Sequence, residues 1–372
     1  MLAQGAPPGI TLWPMSDHSN STWPPAARRI ARAMAWIGLS LTGAVPVWAQ
    51  RPEALWYARG EASITSFLAH ADQVSAISPQ TFTLDRNGNI TGGMDPRIVA
   101  TARTKGVKLI PLVMNPGFDQ PSIHRVLTDA GARARALMSL GRMCSDHKLD
   151  GIQFDIENVH VRDKDAFTAF ARDAAAVVHK AGCTLSAAVV PRTGEDRGPT
   201  AYHQWIWDNW RGAYDYKALA ESLDFLSYMT YAQHTGNTPA GPVAGFPWVE
   251  ACLKYLLSLG VPPAKVSLGL ASYSDWWFPA WDEKAGPRMR GHDVAWTRGV
   301  EILGKAHVAP AWDDVQKATF AAWDEQGVFQ YVWLEDARAF AAKLALVRTY
   351  GLRGYSVWKL GDEDPKTWEL IK

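Results

Sequence analysis

The chain runs to 372 residues, 47% of them hydrophobic, with a formal net charge of +1 at neutral pH. That length buries a sizeable core and accommodates one large domain. The balanced charge leaves no basic footprint for nucleic acid, and no His or Cys cluster has metal-ligand spacing, so neither nucleic acid, metal nor another cofactor is expected.

Residues 1–49 read as a leader outside the fold. Arg28, Arg29 and Arg32 precede the apolar run AMAWIGLSLTGAVPV, which ends in small residues before Gln50. A basic stretch, an apolar stretch and a small-residue cut site are the parts of a secretory signal. The run is too short for a comfortable membrane span. The expectation is an exported protein, periplasmic or extracellular, cut after Ala49 and without a membrane span in its mature form; Met15 is a second candidate start.

From residue 50 to 372 strand-like and helix-like stretches alternate. Strands are predicted at 54–58, 73–78, 107–114, 151–157, 184–190, 223–231, 265–273 and 354–358. Helical patterns lie between most of them, such as 163–182, closed by Gly182 at a C-cap position. Eight strands alternating with helices predict an α/β fold, a (β/α)8 TIM barrel. An open doubly wound sheet is the second candidate, but no Gly-rich phosphate loop follows the first strand. The last two strands are too far apart for a single helix, so about 274–335 reads as a small insertion between strands 7 and 8. It is rich in Trp and is placed on the rim where barrel active sites are built. The chain has 18 Trp; most serve as core, and clustered exposed ones can stack on the C–H faces of sugars.

Only three cysteines occur, Cys144, Cys183 and Cys252. An odd count without regular spacing is no disulfide framework; one bond at most can form, and buried thiols are the expected state. His147 and His160 read as surface histidines.

The stretch LDGIQFDIEN, 149–158, alternates polar Gln153, Asp155 and Glu157 with apolar Ile152, Phe154 and Ile156. Period 2 is a strand with two unlike faces. In a barrel the apolar set packs on helices, and the polar set rises inside toward the C-terminal mouth. Buried carboxylates are costly unless paired. Two of them two residues apart share a proton and titrate as a unit, keeping one carboxyl protonated as a general acid requires. The competing reading is an inward network that only supports the barrel.

Asp150-Gly-Ile-Gln153-Phe-Asp155-Ile-Glu157 resembles the signature D-x-x-D-x-D-x-E of the family 18 glycoside hydrolases. SYMTY, with Met229 and Tyr231, and GYSVW, with Trp358, resemble the same family's sixth and eighth strands. More narrowly, GAYDYKAL, GPVAGFPWVEACL and the region from VWLEDARAF to DEDPKTW resemble its spore-germination-type branch, which includes peptidoglycan N-acetylglucosaminidases. The resemblance covers most of the chain beyond residue 50. It implies cleavage of β-linked glycans containing N-acetylglucosamine, peptidoglycan or chitin-type, by a substrate-assisted retaining mechanism. Glu157 would be the acid, Asp155 the orienter of the acetamido group and Tyr231 its holder. Gln153, Met229 and Trp358 would bind substrate, with Trp358 as the platform.

Two positions depart from the pattern. Gln153 stands for the middle Asp, shortening a proton relay while leaving an amide to donate toward Asp155. Ala232 stands where the motif continues with Asp, which removes one contact. A non-hydrolytic chitinase-like sugar-binding protein is the alternative, although such relatives usually lose the glutamate that Glu157 retains. A barrel with unrelated chemistry is the third.

Overall fold

The computed structural model describes residues 51–371 apart from 237 and 285; the expected leader at 1–49 lies outside the described residues. The strands in chain order are β1 (Glu53–Ala58), β2 (Ala76–Leu84), β3 (Ile90–Gly92), β4 (Lys108–Leu109), β5 (Leu112–Met114), β6 (Gly151–Asp155), β7 (Thr184–Val189), β8 (Phe225–Tyr228), β9 (Val266–Ala271), β10 (Ser274–Asp282), β11 (Gly286–Val294), β12 (Ala311–Asp313), β13 (Ala318–Glu325), β14 (Val328–Leu334) and β15 (Gly354–Trp358).

Eight parallel positions close on themselves: β1, β2, the split pair β4 and β5, β6, β7, β8, β9 and β15. β1 pairs with β2 on one side and β15 on the other, so the sheet has no edge and the open alternative is excluded. At the closing seam Gly354 backs directly onto the Glu53 carbonyl, an approach that only a residue without Cβ allows. Arg353 adds a two-pronged pair to Glu53, 3.0 and 3.1 Å.

The pleat sorts the side chains. Trp56 points outward and stacks on Trp368 at 4.6 Å, whereas Leu55 and Tyr57 face an inner cluster with Ala76, Ile110, Leu112 and Phe225. The outer layer is helical. In the helix Lys164–Lys180 the residues Phe167, Phe170, Ala171, Ala174 and Val178 are buried, the three-and-four spacing of one apolar face. Gly182 follows at φ 87°, as the sequence predicts.

Several strands differ from expectation in ways that matter for the site. The predicted strand 107–114 is split at Ile110 and Pro111. Its ladder continues through Ile110 N–H to the Ile77 carbonyl, 3.0 Å, and the Pro111 carbonyl to Gln153 N–H, 3.0 Å; the missing Pro N–H is what interrupts it. The second strand begins later than 73–78, because Ala71–Gln73 forms a short turn of 3-10 helix. β6, β8 and β9 end before the predicted limits, so Glu157, Tyr231 and Tyr273 stand on rim loops rather than in strands.

The insertion is a five-stranded antiparallel sheet in the order β11-β10-β14-β13-β12. The helix Trp296–Ala306 covers one face through Ile302 and Leu303, packed with Val332, Leu334 and Trp276. Its root is held where Glu335 N–H donates to Ser274 Oγ, 3.1 Å, and the Glu335 carboxylate takes the Lys343 ammonium in a fully buried pair.

The cysteine expectation is corrected. Cys144 and Cys183 form a disulfide with Cα atoms 6.2 Å apart, and Cys252 alone is a buried free thiol. The bridge ties the end of the helix Ala130–His147 to the start of β7, a proximity made by the barrel and invisible in chain spacing. His147 packs edge-on to Phe82, and His160 Nδ1 accepts from Arg162 N–H, 3.1 Å. No described helix is long and apolar enough to cross a membrane.

Candidate active site

The polar column of β6 stands inside the barrel. At its lower level Gln153 is fully buried. Its Oε1 accepts from the Tyr57 hydroxyl, 2.6 Å, while its Nε2 donates to Ser186 Oγ and Ser227 Oγ, 3.0 and 3.1 Å. One step up, Asp155 takes a bond from Gln80 Nε2, 3.2 Å. Glu157 lies just beyond the strand. Its peptide is clamped by Asn115, which accepts from Glu157 N–H at 3.1 Å and donates to its carbonyl at 2.9 Å. The Tyr214 hydroxyl donates to the Ile156 carbonyl, 2.9 Å, and Asn158 turns the chain at φ 54°. The carboxyl therefore projects from a backbone held on both sides.

Burial is the largest influence on both acids. It raises Asp155 to about 6, against which the Gln80 bond and a hydrogen bond with Glu157 act. Glu157 is pushed well above the usual carboxylate range, by burial first and by the neighbouring Asp155 second. No cation lowers either group. Two carboxyls in contact without a counter-charge share a proton, and near neutral pH that proton belongs on Glu157.

The pair forms the floor of a cleft of about 530 Å³, within the range of small-molecule sites. Met229, Tyr231 and Trp358 line it together with Asp155 and Glu157. Trp358 packs on Tyr57 with ring centroids 5.6 Å apart, and Tyr231 meets Tyr273 edge-on at 6.5 Å. Ala232 also lines the cleft, at φ 55°.

Gln153 requires correction. It does not line the cleft, and its hydrogen-bonding atoms are taken up by Tyr57 and the two serines below. It therefore serves as a strut under the floor; the donor to Asp155 is Gln80.

Other residues enter that the sequence pattern did not single out. Tyr57 and Gln80 come from β1 and β2, which do not pair with β6, and Asn115 directly follows β5; only the closed barrel brings them to the β6 column. The connection after β7 supplies Tyr202, Trp205, Trp210 and Arg211, and Trp248 comes from the helix Phe246–Ser258. The spacing of aromatics in AYHQWIWDNW was the available signal. Four Trp line the cleft, and none is in the insertion, whose Trp276, Trp296 and Trp323 pack in its own core. The insertion contributes Asp293 instead. That carboxyl faces Asp275 across β10 and β11, and burial pushes Asp275 up to about 8. The charges felt by Asp293 are those of Asp275, Asp362, His292 and Lys359, not of Glu157.

Among the described residues no group of three or more His, Cys, Asp or Glu side chains could hold a metal ion. What the site offers is a protonated acid, a neighbouring carboxylate and aromatic walls.

Comparison with known proteins agrees in fold and family. The chain is 25% identical over 323 residues to "Uncharacterized glycosylase YvbX" of Bacillus subtilis, covering 85% of this chain and 89% of that one. It is 27% identical over 298 residues to the "Cortical fragment-lytic enzyme" of Bacillus cereus, covering 78% of this chain and 66% of that one. The crystal structure of the Bacillus cereus spore cortex-lytic enzyme SleL superposes with a TM-score of 0.76 at 23% identity, over 87% of this chain and 74% of that one. A chitinase from Chromobacterium violaceum gives 0.76 at 25% identity, over 86% and 98%. The family described as "Glycosyl hydrolases family 18" matches residues 64–364. With the closed barrel and its acid pair in the same span, the chain belongs to the family 18 glycosyl hydrolases.

Proposed function

We propose that this glycosidase hydrolyses β-linked glycans containing N-acetylglucosamine, with retention and with the substrate's own acetamido group as nucleophile. The observation that carries the reading is the buried carboxyl pair of Asp155 and Glu157, without a counter-charge, in an aromatic-lined cleft. The Glu157 O–H gives its proton to the glycosidic oxygen as the bond from C1 to that oxygen breaks. The acetamido oxygen closes on C1, forming an oxazolinium ion. Ionised Asp155 accepts the acetamido N–H and offsets the positive charge. Tyr231 holds the acetamido oxygen in line, Trp358 carries the sugar ring, and Met229 walls the pocket. Water then attacks C1 from the face the leaving group vacated, giving a proton to the Glu157 carboxylate and restoring acetamido and acid together.

The position of Asp293 supports this over a two-carboxylate scheme. It is the other carboxyl on the cleft wall, yet its charge is not felt by Glu157 or Asp155. Action in an exported compartment is part of the same proposal. The Cys144–Cys183 bridge supports it, since such bonds persist in oxidising surroundings.

The test compares matched aryl glycosides and oligomers. N-acetylated substrates should be cut with retention, and deacetylated or plain glucoside counterparts should be nearly inert. Comparable hydrolysis of both kinds, or an inverted product by NMR, would overturn the mechanism. Binding of N-acetylated oligomers with no release of reducing ends would overturn the enzymatic reading for a purely binding one.

A further inference from the structure

The connection after β7 builds a second feature beside the acid pair. Tyr202 and Trp205, one helical turn apart on Ala201–Ile206, stack with centroids 6.1 Å apart and planes within 18°. They line the cleft while remaining 46% and 50% exposed, so the fold covers neither fully. Arg211, at the end of the same connection, is half-buried and lines the cleft as well.

The other arginines of this connection have their anions: Arg192 holds Glu195 at 2.8 Å and Arg197 faces Asp208 at 3.5 Å. The Arg211 backbone carbonyl accepts from Arg192 Nη1 at 2.7 Å; the Arg211 guanidinium has no hydrogen-bond or ion-pair partner among the described residues, and its charge is felt by the buried Cys252 thiol, whose pKa it lowers against the larger effect of burial. It does not serve the catalytic carboxyls, since neither is lowered by any cation. Asp293 does not neutralise it either: the groups that act on Asp293 are Asp275, His292, Lys359 and Asp362, on β10, on β11 and after β15. A half-buried guanidinium with free donors beside an open aromatic shelf is suited to an anion on a flat, C–H-bearing ring.

We propose that Tyr202, Trp205 and Arg211 form a subsite for an acidic sugar, a ring that bears a carboxylate and adjoins the N-acetylglucosamine unit being cut. The proposal rests on the glycan-cleft reading above and narrows its substrate class to glycans with a carboxylate beside the cleavage point.

The test is calorimetric binding to the full chain carrying Glu157→Gln, so that no glycan is consumed. Three tetrasaccharides are compared: all N-acetylglucosamine, the same backbone with a lactyl ether carboxylate on alternate sugars, and that acid reduced to its alcohol. The acid should bind on the order of tenfold more tightly than the alcohol. Adding Arg211→Gln should erase that advantage and leave the neutral glycan within about twofold, while Arg211→Lys keeps part of it. Trp205→Ala should weaken all three alike. Arg59→Gln removes the same charge from the opposite rim of the cleft and should leave most of the preference in place. Equal binding of acid and alcohol would overturn the proposal. So would equal losses on all three glycans from Arg211→Gln, or the same loss of preference from Arg59→Gln. Failure of the glycosidase reading shows separately, as no cleavage of any of the three by the wild-type chain, and leaves the binding comparison readable.

Discussion

Replacing Asp155 by Asn should make the protein more stable and less active, and only above a definite pH. The carboxyl is 5% exposed, and burial moves it from an ordinary 3.8 to about 6. Each pH unit is worth 1.36 kcal/mol, so ionised Asp155 costs the folded state about 3 kcal/mol. Below pH 3.8 the group is protonated in folded and unfolded chains alike, and the variant gains nothing. Between 3.8 and about 6 the unfolded chain ionises first, so wild-type stability falls as pH rises; above that window the whole cost is present. Asn keeps the shape, can still accept from Gln80 and can donate to Glu157. Urea unfolding at pH 4 and pH 8 should show near equality at the first and a gain approaching about 3 kcal/mol at the second. The rate profile should change with it. Wild-type kcat/KM should fall below about pH 6 as Asp155 protonates, and on the alkaline side as Glu157 loses its proton; the variant should be slower and lack the acid limb. Equal stabilisation at both pH values, or a variant less stable than wild type at pH 8, would refute the reasoning.

Glu157→Gln should lower turnover by roughly 10²–10⁴-fold while N-acetylated oligomers still bind, measured by steady-state kinetics beside calorimetry. Gln153→Leu strands the Tyr57, Ser186 and Ser227 hydroxyls and should cost about 3 kcal/mol in denaturant unfolding, buried polar groups without partners being the cause. Cys144→Ser opens a bridge across a sequence separation of 39 and should lower stability by about 4 kcal/mol on the loop-entropy argument; a reductant should mimic it in the wild type and leave the variant unmoved.

What could be read from the sequence was whatever repeats with a local period. The two-residue alternation through Gln153, Asp155 and Glu157 located the inward column, and the three-and-four spacing of Phe167, Phe170, Ala174 and Val178 located a covering helix. The spacing between strand patterns predicted the barrel and its late insertion. Illegible were the partners supplied by other strands. Gln80 lies 75 positions from Asp155 and Asn115 lies 42 from Glu157, and no local pattern marks them. Gln153 was misplaced for a related reason: alternation gives the face of a strand but not the height within the barrel, and one pleat separates a strut from a wall. The disulfide and Asp293 depend likewise on which elements the closed sheet sets side by side.

The seam between β1 and β15 has a consequence for how the molecule comes into being. Glu53 and Arg353 are 300 positions apart, so the contacts that close the sheet are nearly as non-local as the chain permits. Pairings of that separation form slowly, because a long loop must be ordered before they contribute. During synthesis at roughly 5–20 residues per second, β1 waits as an open edge for tens of seconds, and β9 for a shorter time on the order of ten seconds, until their common neighbour β15 emerges. Unpaired edges of that kind invite association between chains. The glycine at the start of the last strand thus governs more than geometry. It lets the final segment pair at the seam without displacing the Glu53 backbone it meets, so that one strand closes both open edges.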